Sequence, residues 1–570
     1  MPCKMLFNMT ERTDSNFRNI FWLVATATFA AMPLLSFHYG ITWDEWIQSQ
    51  YGKLVLRFFL SGGTARECLT FENLYLYGGL FDTLAVTVYG FLFGGFRLVR
   101  ELAYAHHFTD LTLPFYYETR HVLNALLGAA GILFTGLIAK ELRGWRTGLL
   151  ALLLILLSPR FFGNSMNNPK DIPFAMAYAM SLYALLRFFK VCPNPGWRSV
   201  LFLIFSIAIA INIKAGGLIL LCYLLFFPAF GWIRDVVNKK QFFFRARPAL
   251  LLLGIASAAY LAGLLLWPFG LLDPVHNPLR TLEKLSHFTG FTGVLLFEGK
   301  LIPSTQTPWY YLPKWILISV PLYIHLGLLL WLFFWNDLRK IRNISLLAVA
   351  AFFPLAYAIL NHSTVYDSWR HFLFIYPPLV VLAAVTWDQL FSWVKNKIGT
   401  LLILFFLCLN LLEPVVWMVR CHPNEYVYFN PLVGGLRGAY GRYDTDYWGN
   451  SLKEASEWLT DYYKRHKMKA PIRVRWDGEL ISSAYYLIRG LGPSYLVSDD
   501  SNPAWDFWLS LSRKAAPQRL QNGEWPPRYA TIHTVETDGV PLCAIVKNPL
   551  KRISPEDLSA DTASILDGVS

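Results

Sequence analysis

Two acids stand side by side at Asp44-Glu45, with Thr42 and Trp43 before them and Trp46 after. They follow an apolar run, Phe17 to Phe37. A carboxylate at the end of such a run can serve as a general base if it stays ionised and meets a substrate. The same two acids can equally be solvated groups of an interfacial loop, or caps of the helix that follows. The flanking indoles mark a membrane–water boundary, where a tryptophan keeps one side apolar and the other wet. Carboxylates at that depth are costly to bury, so their presence points towards function.

The cations that could join them are scattered along the chain. Lys170 and Asp171 lie in Asn167-Asn168-Pro169-Lys170-Asp171-Ile172-Pro173-Phe174, where the prolines fix a turn and start a helix. Asp171 there is either a helix cap or a site residue. Lys214 lies in Asn212-Ile213-Lys214-Ala215-Gly216-Gly217, as a snorkelling lysine at a hairpin turn or as an anion ligand. Arg370 and His371 close Tyr366-Asp367-Ser368-Trp369-Arg370-His371, and Glu118, Arg120 and His121 open another apolar run. Pro308-Trp309-Tyr310-Tyr311-Leu312-Pro313 reads as an aromatic belt. Arginine holds phosphate bidentately and lysine holds it as a point charge. A carboxylate base, several cations and apolar helices for a lipid tail suit a reaction at a membrane face that involves a phosphate.

Long apolar helices must carry these residues. The chain has 570 residues, a mean hydropathy of +0.36 and only 16% charged residues. An ordinary soluble domain has roughly 25%, so this is a polytopic α-helical membrane protein. Its net charge of +13 would suit a nucleic-acid partner. The basic residues instead crowd into short loops between apolar runs, as the positive-inside rule requires, and nucleic acid is excluded. Spans are expected near 17–37, 120–139, 146–160, 172–190, 199–213, 215–232, 248–268, 314–335, 343–361, 371–390 and 398–418, about 11 in all. One set of loops carries Lys140, Arg143 and Arg146; Arg187 and Lys190; Arg234 to Arg247; Arg339 to Arg342; and Lys395 with Lys397. Lys4, Arg12 and Arg18 join that side only if the apolar run 74–96 does not cross. That run is therefore read as interfacial, or as returning to the outer face.

This alternation places the N-terminus inside. The first loop, residues 38–119, lies outside with interfacial helices. Residues 161–171, 270–313, 361–370 and everything from Cys421 onward are outside as well. All the unusual polar clusters fall in these outer stretches. Residues 1–420 form the membrane domain. Residues 421–550 read as a small α/β domain, from the helical run Leu452 to Tyr463 and the alternating runs Ile472–Trp476 and Ala530–Val535. Residues 551–570 read as a disordered end. The seven cysteines show no zinc spacing, and Cys68, Cys421 and Cys543 fall outside, where a disulfide could form.

The ordered set on one topology resembles a family. The motifs are Asp44-Glu45 after the first span, Asn168-Pro169-Lys170-Asp171-Ile172-Pro173-Phe174 and Trp309-Tyr310-Tyr311-Leu312-Pro313. Trp369-Arg370-His371-Phe372 and Tyr443-Asp444-Thr445-Asp446-Tyr447-Trp448-Gly449 look like a bacterial branch of the same group. The group is glycosyltransferase family 39, polyprenyl-phosphate-sugar-dependent enzymes of the GT-C fold that include protein O-mannosyltransferases and the lipid A aminoarabinose transferase. The resemblance covers about residues 15–450 and is silent on the tail.

It implies an inverting transfer of a sugar from a polyprenyl-phosphate donor at the outer face of the cytoplasmic (inner) membrane. The acceptor would be a lipid, glycan or protein, through a hydroxyl or phosphate group. Asp44 and Glu45 would be the catalytic acids. Lys214, Arg370, Arg120 and Lys170 would hold the donor phosphate. Asp171, His121, Tyr310, Tyr311 and His371 would bind substrate. No His cluster demands a metal, although Asp44, Asp171 and a substrate phosphate could share a divalent cation. Two other readings compete. A transporter or flippase of a lipid-linked or anionic substrate would use the break at Lys214, but the chain shows no inverted repeat. A non-catalytic subunit would merely present the outer domain to a partner.

Overall fold

The computed structural model describes residues 2–105, 109–192, 194–239, 246–286, 288, 290, 293–468, 471–492, 495–497 and 505–549. The end expected to be disordered, 551–570, lies outside these residues, as do Lys240 and Arg245 of the basic loop. Every run expected to span overlies helix. Among the described residues, six helices are long and apolar enough to cross a membrane: Asp14–His38, Leu80–Ala103, Tyr116–Arg143, Asp171–Val191, Arg370–Trp393 and Lys397–Cys421.

The other expected runs overlie bent helix pairs or shorter apolar helices. The run 146–160 belongs to Trp145–Leu156 and Pro159–Asn167, bent by 69°, and 314–335 divides into Tyr311–Ser319 and Leu322–Phe333, bent by 115°. Pro159 and Pro321 stand at those breaks, where a proline removes an N–H and crowds the preceding turn. Counting each bent pair as one crossing gives eight. Trp197–Ile213, Ala215–Phe230, Arg247–Gly263 and Ile344–Leu360 are apolar but shorter.

The 74–96 run takes an intermediate course. Helix Leu80–Ala103 is long enough to span, yet its backbone leaves the helical region at Gly95, with φ 66°. A Cβ on Gly90 would stand 2.9 Å from the Cα of Val99. Nine residues of continuous helix would hold those positions ~13 Å apart, so the chain doubles back there. The tip of this helical hairpin exposes Phe91, Leu92, Phe93 and Phe96.

Helix Asp171–Val191 is buried on nearly every side and forms the centre of the bundle. The loops expected to share one side also meet at one end of the bundle. There Lys140 and Lys190 bracket Glu141 at 3.0 and 2.6 Å, Arg143 pairs with Asp388 at 3.0 Å, and Arg342 donates to the carbonyl of Phe189. The polar clusters of the expected outer stretches gather at the opposite end.

A second, smaller core lies on that opposite end. Strands β1 (Val294–Phe297) and β2 (Lys300–Pro303) form an antiparallel ribbon. Strands β3 (Ile472–Trp476), β4 (Tyr495–Val497), β5 (Phe507–Leu511), β6 (Thr531–Thr537) and β7 (Val540–Lys547) form one mixed sheet, in the order β4-β3-β5-β7-β6. β3 runs parallel to both β4 and β5. The alternation in Ile472–Trp476 is seen directly, with Ile472, Val474 and Trp476 buried and the two arginines between them half-buried. Helices Leu452–Arg465 and Ile481–Leu491 pack against the sheet and complete its core. None of the six cysteines whose side chains are described is paired, and Cys68, Cys421 and Cys543 are all buried.

Candidate active site

The adjacent acids Asp44 and Glu45 point apart. Thr42 precedes helix Trp43–Leu60, and its backbone N–H donates to the Glu45 carboxylate at 2.8 Å. This is the reciprocal half of a capping box. The same carboxylate lies 3.0 Å from His121 Nε2 and is only 1% exposed. Successive helix residues project about 100° apart. Turning Glu45 inward therefore aims Asp44 out of the core, where its side chain remains 37% exposed. Glu45 thus takes the capping part, and Asp44 does not share in the capping box.

Asp44 faces a cluster built from the ends of several elements. Arg370 Nη1 stands 3.2 Å from the Asp44 carboxylate and 3.4 Å from that of Asp171. Its Nη2 lies 3.1 Å from Asp367. Lys214 forms an ion pair with the other oxygen of Asp171. Asp171 does not cap its own helix. Asn168 takes that part by accepting from the Asp171 backbone N–H at 2.9 Å, while its amide donates to the Asp171 carboxylate at 3.0 Å. Lys170 lies 4.1 Å from the centre of the Tyr77 ring and, among the described residues, forms no ion pair. Tyr366 and Trp448 flank the Arg370 guanidinium at 5.3 and 4.8 Å.

The electrostatics follow from burial against charge. Asp367 and Ser368 both have positive φ, 53° and 64°. Consecutive left-handed non-glycine residues are strained, and such strain gathers at functional sites. The turn aims Asp367 at two arginines, Arg370 and Arg513. Burial pushes its carboxyl up, but the charges of Arg513 and Arg370 outweigh that and hold it below the usual range. Burial brings the Lys170 ammonium down to about 8, with Asp82 and Asp44 opposing. Asp444, deeper under the turn, is pushed up to about 6 by burial against the pull of Arg513.

Of the expected residues, Asp44, Lys170, Asp171, Lys214 and Arg370 come together, and His371 lies beside them with its ring 4.6 Å from Tyr366. Five stand apart. Arg120 is buried on Asp82 at 2.7 Å. His121 serves Glu45. Tyr310 donates to Glu298 at 3.2 Å, and Tyr311 packs between Phe297 and Trp315.

Two members were not anticipated as site residues. Asp367 carried a signal, since it precedes Arg370 by three residues. Arg513 carried none, because only the sheet topology delivers it. Among the described residues no group of three or more His, Cys, Asp or Glu side chains is arranged for a metal ion. Arg370 Nη1 lies between Asp44 and Asp171, the two carboxylates that could share a cation with a substrate phosphate. Asp444-Thr445-Asp446 has the spacing of a metal-binding acidic pair but turns inward. Asp444 accepts from the Leu296 N–H, and Asp446 accepts from Tyr426, Ser451 and the Asn450 N–H.

The chain is a multi-pass membrane protein with a cluster of mostly buried charged side chains at one end of its helix bundle, where Asp44 remains open to solvent. Residues 120–261 match the family described as dolichyl-phosphate-mannose-protein mannosyltransferase. The matched stretch includes Lys170, Asp171 and Lys214. No curated protein sequence matches the chain. Among solved structures, it is similar to ArnT from Cupriavidus metallidurans bound to undecaprenyl phosphate. The identity is 12% and the TM-score 0.44, over 95% of this chain and 99% of that one. It is also similar to the archaeal oligosaccharyltransferase AglB from Archaeoglobus fulgidus in complex with an inhibitory peptide and a dolichol-phosphate. There the identity is 12% and the TM-score 0.45, over 93% of this chain and 75% of that one.

Proposed function

We propose that the protein is a membrane glycosyltransferase that moves a sugar from a polyprenyl-phosphate donor to a hydroxyl acceptor. The observation that carries this reading is the Asp44–Arg370 pair. It sets a solvent-facing carboxylate 3.2 Å from a guanidinium that is itself only 6% exposed. The match of residues 120–261 to a dolichyl-phosphate-mannose-dependent family supports a lipid-phosphate sugar as donor. The charged cluster and the sheet domain face the extracytoplasmic side of the cytoplasmic membrane, the orientation that the basic loops favour.

The reaction is a single displacement with inversion. The acceptor oxygen attacks the anomeric carbon, and its proton passes to the Asp44 carboxylate. The bond from that carbon to the phosphate oxygen breaks, and its electron pair leaves with the phosphate. The leaving group gains one negative charge, turning from a diester into a monoester. Lys170, Lys214 and Arg370 would stabilise that developing charge, and a preorganised cation acts most strongly where water is scarce. The leaving group then needs no strong acid. Asp44 need only be ionised and positioned, since its task begins as the acceptor proton loosens. Glu45 holds the start of the helix that presents Asp44, Arg120 pairs with Asp82, and neither takes a chemical part. The test is single-turnover transfer from a panel of polyprenyl-phosphate sugars by purified protein. Absence of sugar release from every donor would reject the proposal.

A further inference from the structure

The sheet domain approaches Asp44 through one edge. β3 and β5 are parallel neighbours, with Val474 opposite Phe507 and Trp476 opposite Leu509. Their carboxyl ends therefore emerge together, as residues 477–480 and 512–514. In open sheets with parallel strands that end is the usual place for a ligand site. Here it closes on Trp43, the residue just before Asp44. Gly449 and Gly478 both have positive φ, 71° and 100°. A Cβ on Gly449 would stand 2.6 Å from the Trp43 indole nitrogen, and Gly478 approaches that ring as closely. The Arg513 guanidinium covers the Trp43 ring at 5.2 Å, and the Lys514 ammonium lies 5.5 Å from its centre.

Arg513 also reaches the turn that holds Arg370. Its Nη2 lies 2.7 Å from Asp367 Oδ1, while Asp367 Oδ2 is the oxygen that meets Arg370. Its Nη1 donates to the Tyr447 carbonyl. The two side chains are 10% and 7% exposed, so this is a desolvated pair. Removing one partner of such a pair leaves the other charge buried and uncompensated. Burial raises the Glu479 carboxyl on the same edge, and the charge of Asp44 raises it further.

We propose that the carboxyl ends of β3 and β5 form one wall of the Asp44 site, and that Arg513 is a positioning residue. It acts on Arg370 through Asp367 and on Asp44 through Trp43. This rests on the donor reading above only where phosphate binding is concerned. The coupling itself can be read without any ligand.

The experiment uses the full-length protein in detergent with two readouts. Hydrogen–deuterium exchange of Arg513→Ala should show lost protection at residues 42–46 and 365–371, both remote in sequence. Arg528→Ala, on the exposed face of the domain, should leave both segments unchanged. Undecaprenyl phosphate serves as the binding probe, and Arg513→Ala should weaken it about tenfold although Arg513 need not touch the phosphate. Arg513→Lys should recover part of both effects, and it stands in should the alanine variant fail to fold. Unchanged exchange at both segments in a folded Arg513→Ala, or in Arg513→Lys where the alanine variant does not fold, would overturn the proposal. A wild-type protein that fails to bind undecaprenyl phosphate would overturn the donor reading instead, while the exchange data still decide the role of Arg513.

Discussion

Arg370 pairs with Asp44 at 3.2 Å, and the same nitrogen reaches Asp171 at 3.4 Å. One guanidinium thus lies between the carboxylate proposed as base and the carboxylate that anchors Lys214. A phosphate arriving at Arg370 would compete with Asp44 for that nitrogen and free the carboxylate for the acceptor proton. On the proposed function, donor binding and base release would then be one event.

Replacing Arg370 tests that link. Arg370→Ala leaves Asp171 and Asp367 buried with one cation fewer each, so it should destabilise by about 3–5 kcal/mol. Arg370→Lys keeps a charge but cannot serve three carboxylates from a planar fork. It should stay folded and bind undecaprenyl phosphate more weakly. Thermal unfolding beside titration of that lipid separates the two effects. Equal affinity in wild type and Arg370→Lys would remove the guanidinium from the donor site.

Lys170 gives the site a pH dependence. With its ammonium near 8, it is charged below that pH and neutral above it. Anion binding should therefore be strongest below pH 8 and fall as the pH rises through that value. Stability runs the other way. The folded value lies below the ordinary lysine value, so this group's contribution is lost as pH falls from about 10.4 through 8. Lys170→Arg should extend lipid-phosphate binding to higher pH. A binding profile flat from pH 7 to 9.5 in the wild type would count against Lys170 as a donor ligand.

Topology needs probes chosen from the structure, because Cys421 and Cys543 are buried and would resist labelling in either orientation. Tyr529 in the sheet domain is 84% exposed. The Lys340 side chain, at the other end of the bundle, is 70% exposed. In intact cells a membrane-impermeant thiol reagent should label Tyr529→Cys directly, and Lys340→Cys only after the membrane is opened. The reverse pattern would invert the orientation.

The helices were legible because apolar runs and basic loops report membrane crossing directly. So were the sheet's first strand and preceding helix, whose periods of two and 3.6 stand out at Ile472–Trp476 and Leu452–Arg465. The split between Asp44 and Glu45 was not legible, because neighbours in sequence diverge only once the helix start is fixed. Arg120 and His121 looked like site cations for the same reason. Their partners, Asp82 and Glu45, come from the first outer loop and are identified only by the fold. Arg513 reaches the site because β5 pairs in parallel with β3, a register that no local pattern announces.

Asp44→Asn tests the central claim most directly. The exchange is nearly isosteric and removes only the charge that would take the acceptor proton. Single-turnover transfer at saturating donor should fall by about 10²–10⁴, the usual worth of a general base, with thermal stability and undecaprenyl phosphate binding preserved. Glu45→Gln, altered at the capping box, should cost about 1 kcal/mol of stability and leave the transfer step within a few-fold of wild type. Near-normal transfer by a folded Asp44→Asn would contradict the account, for the carboxylate beside Arg370 would then not be the base.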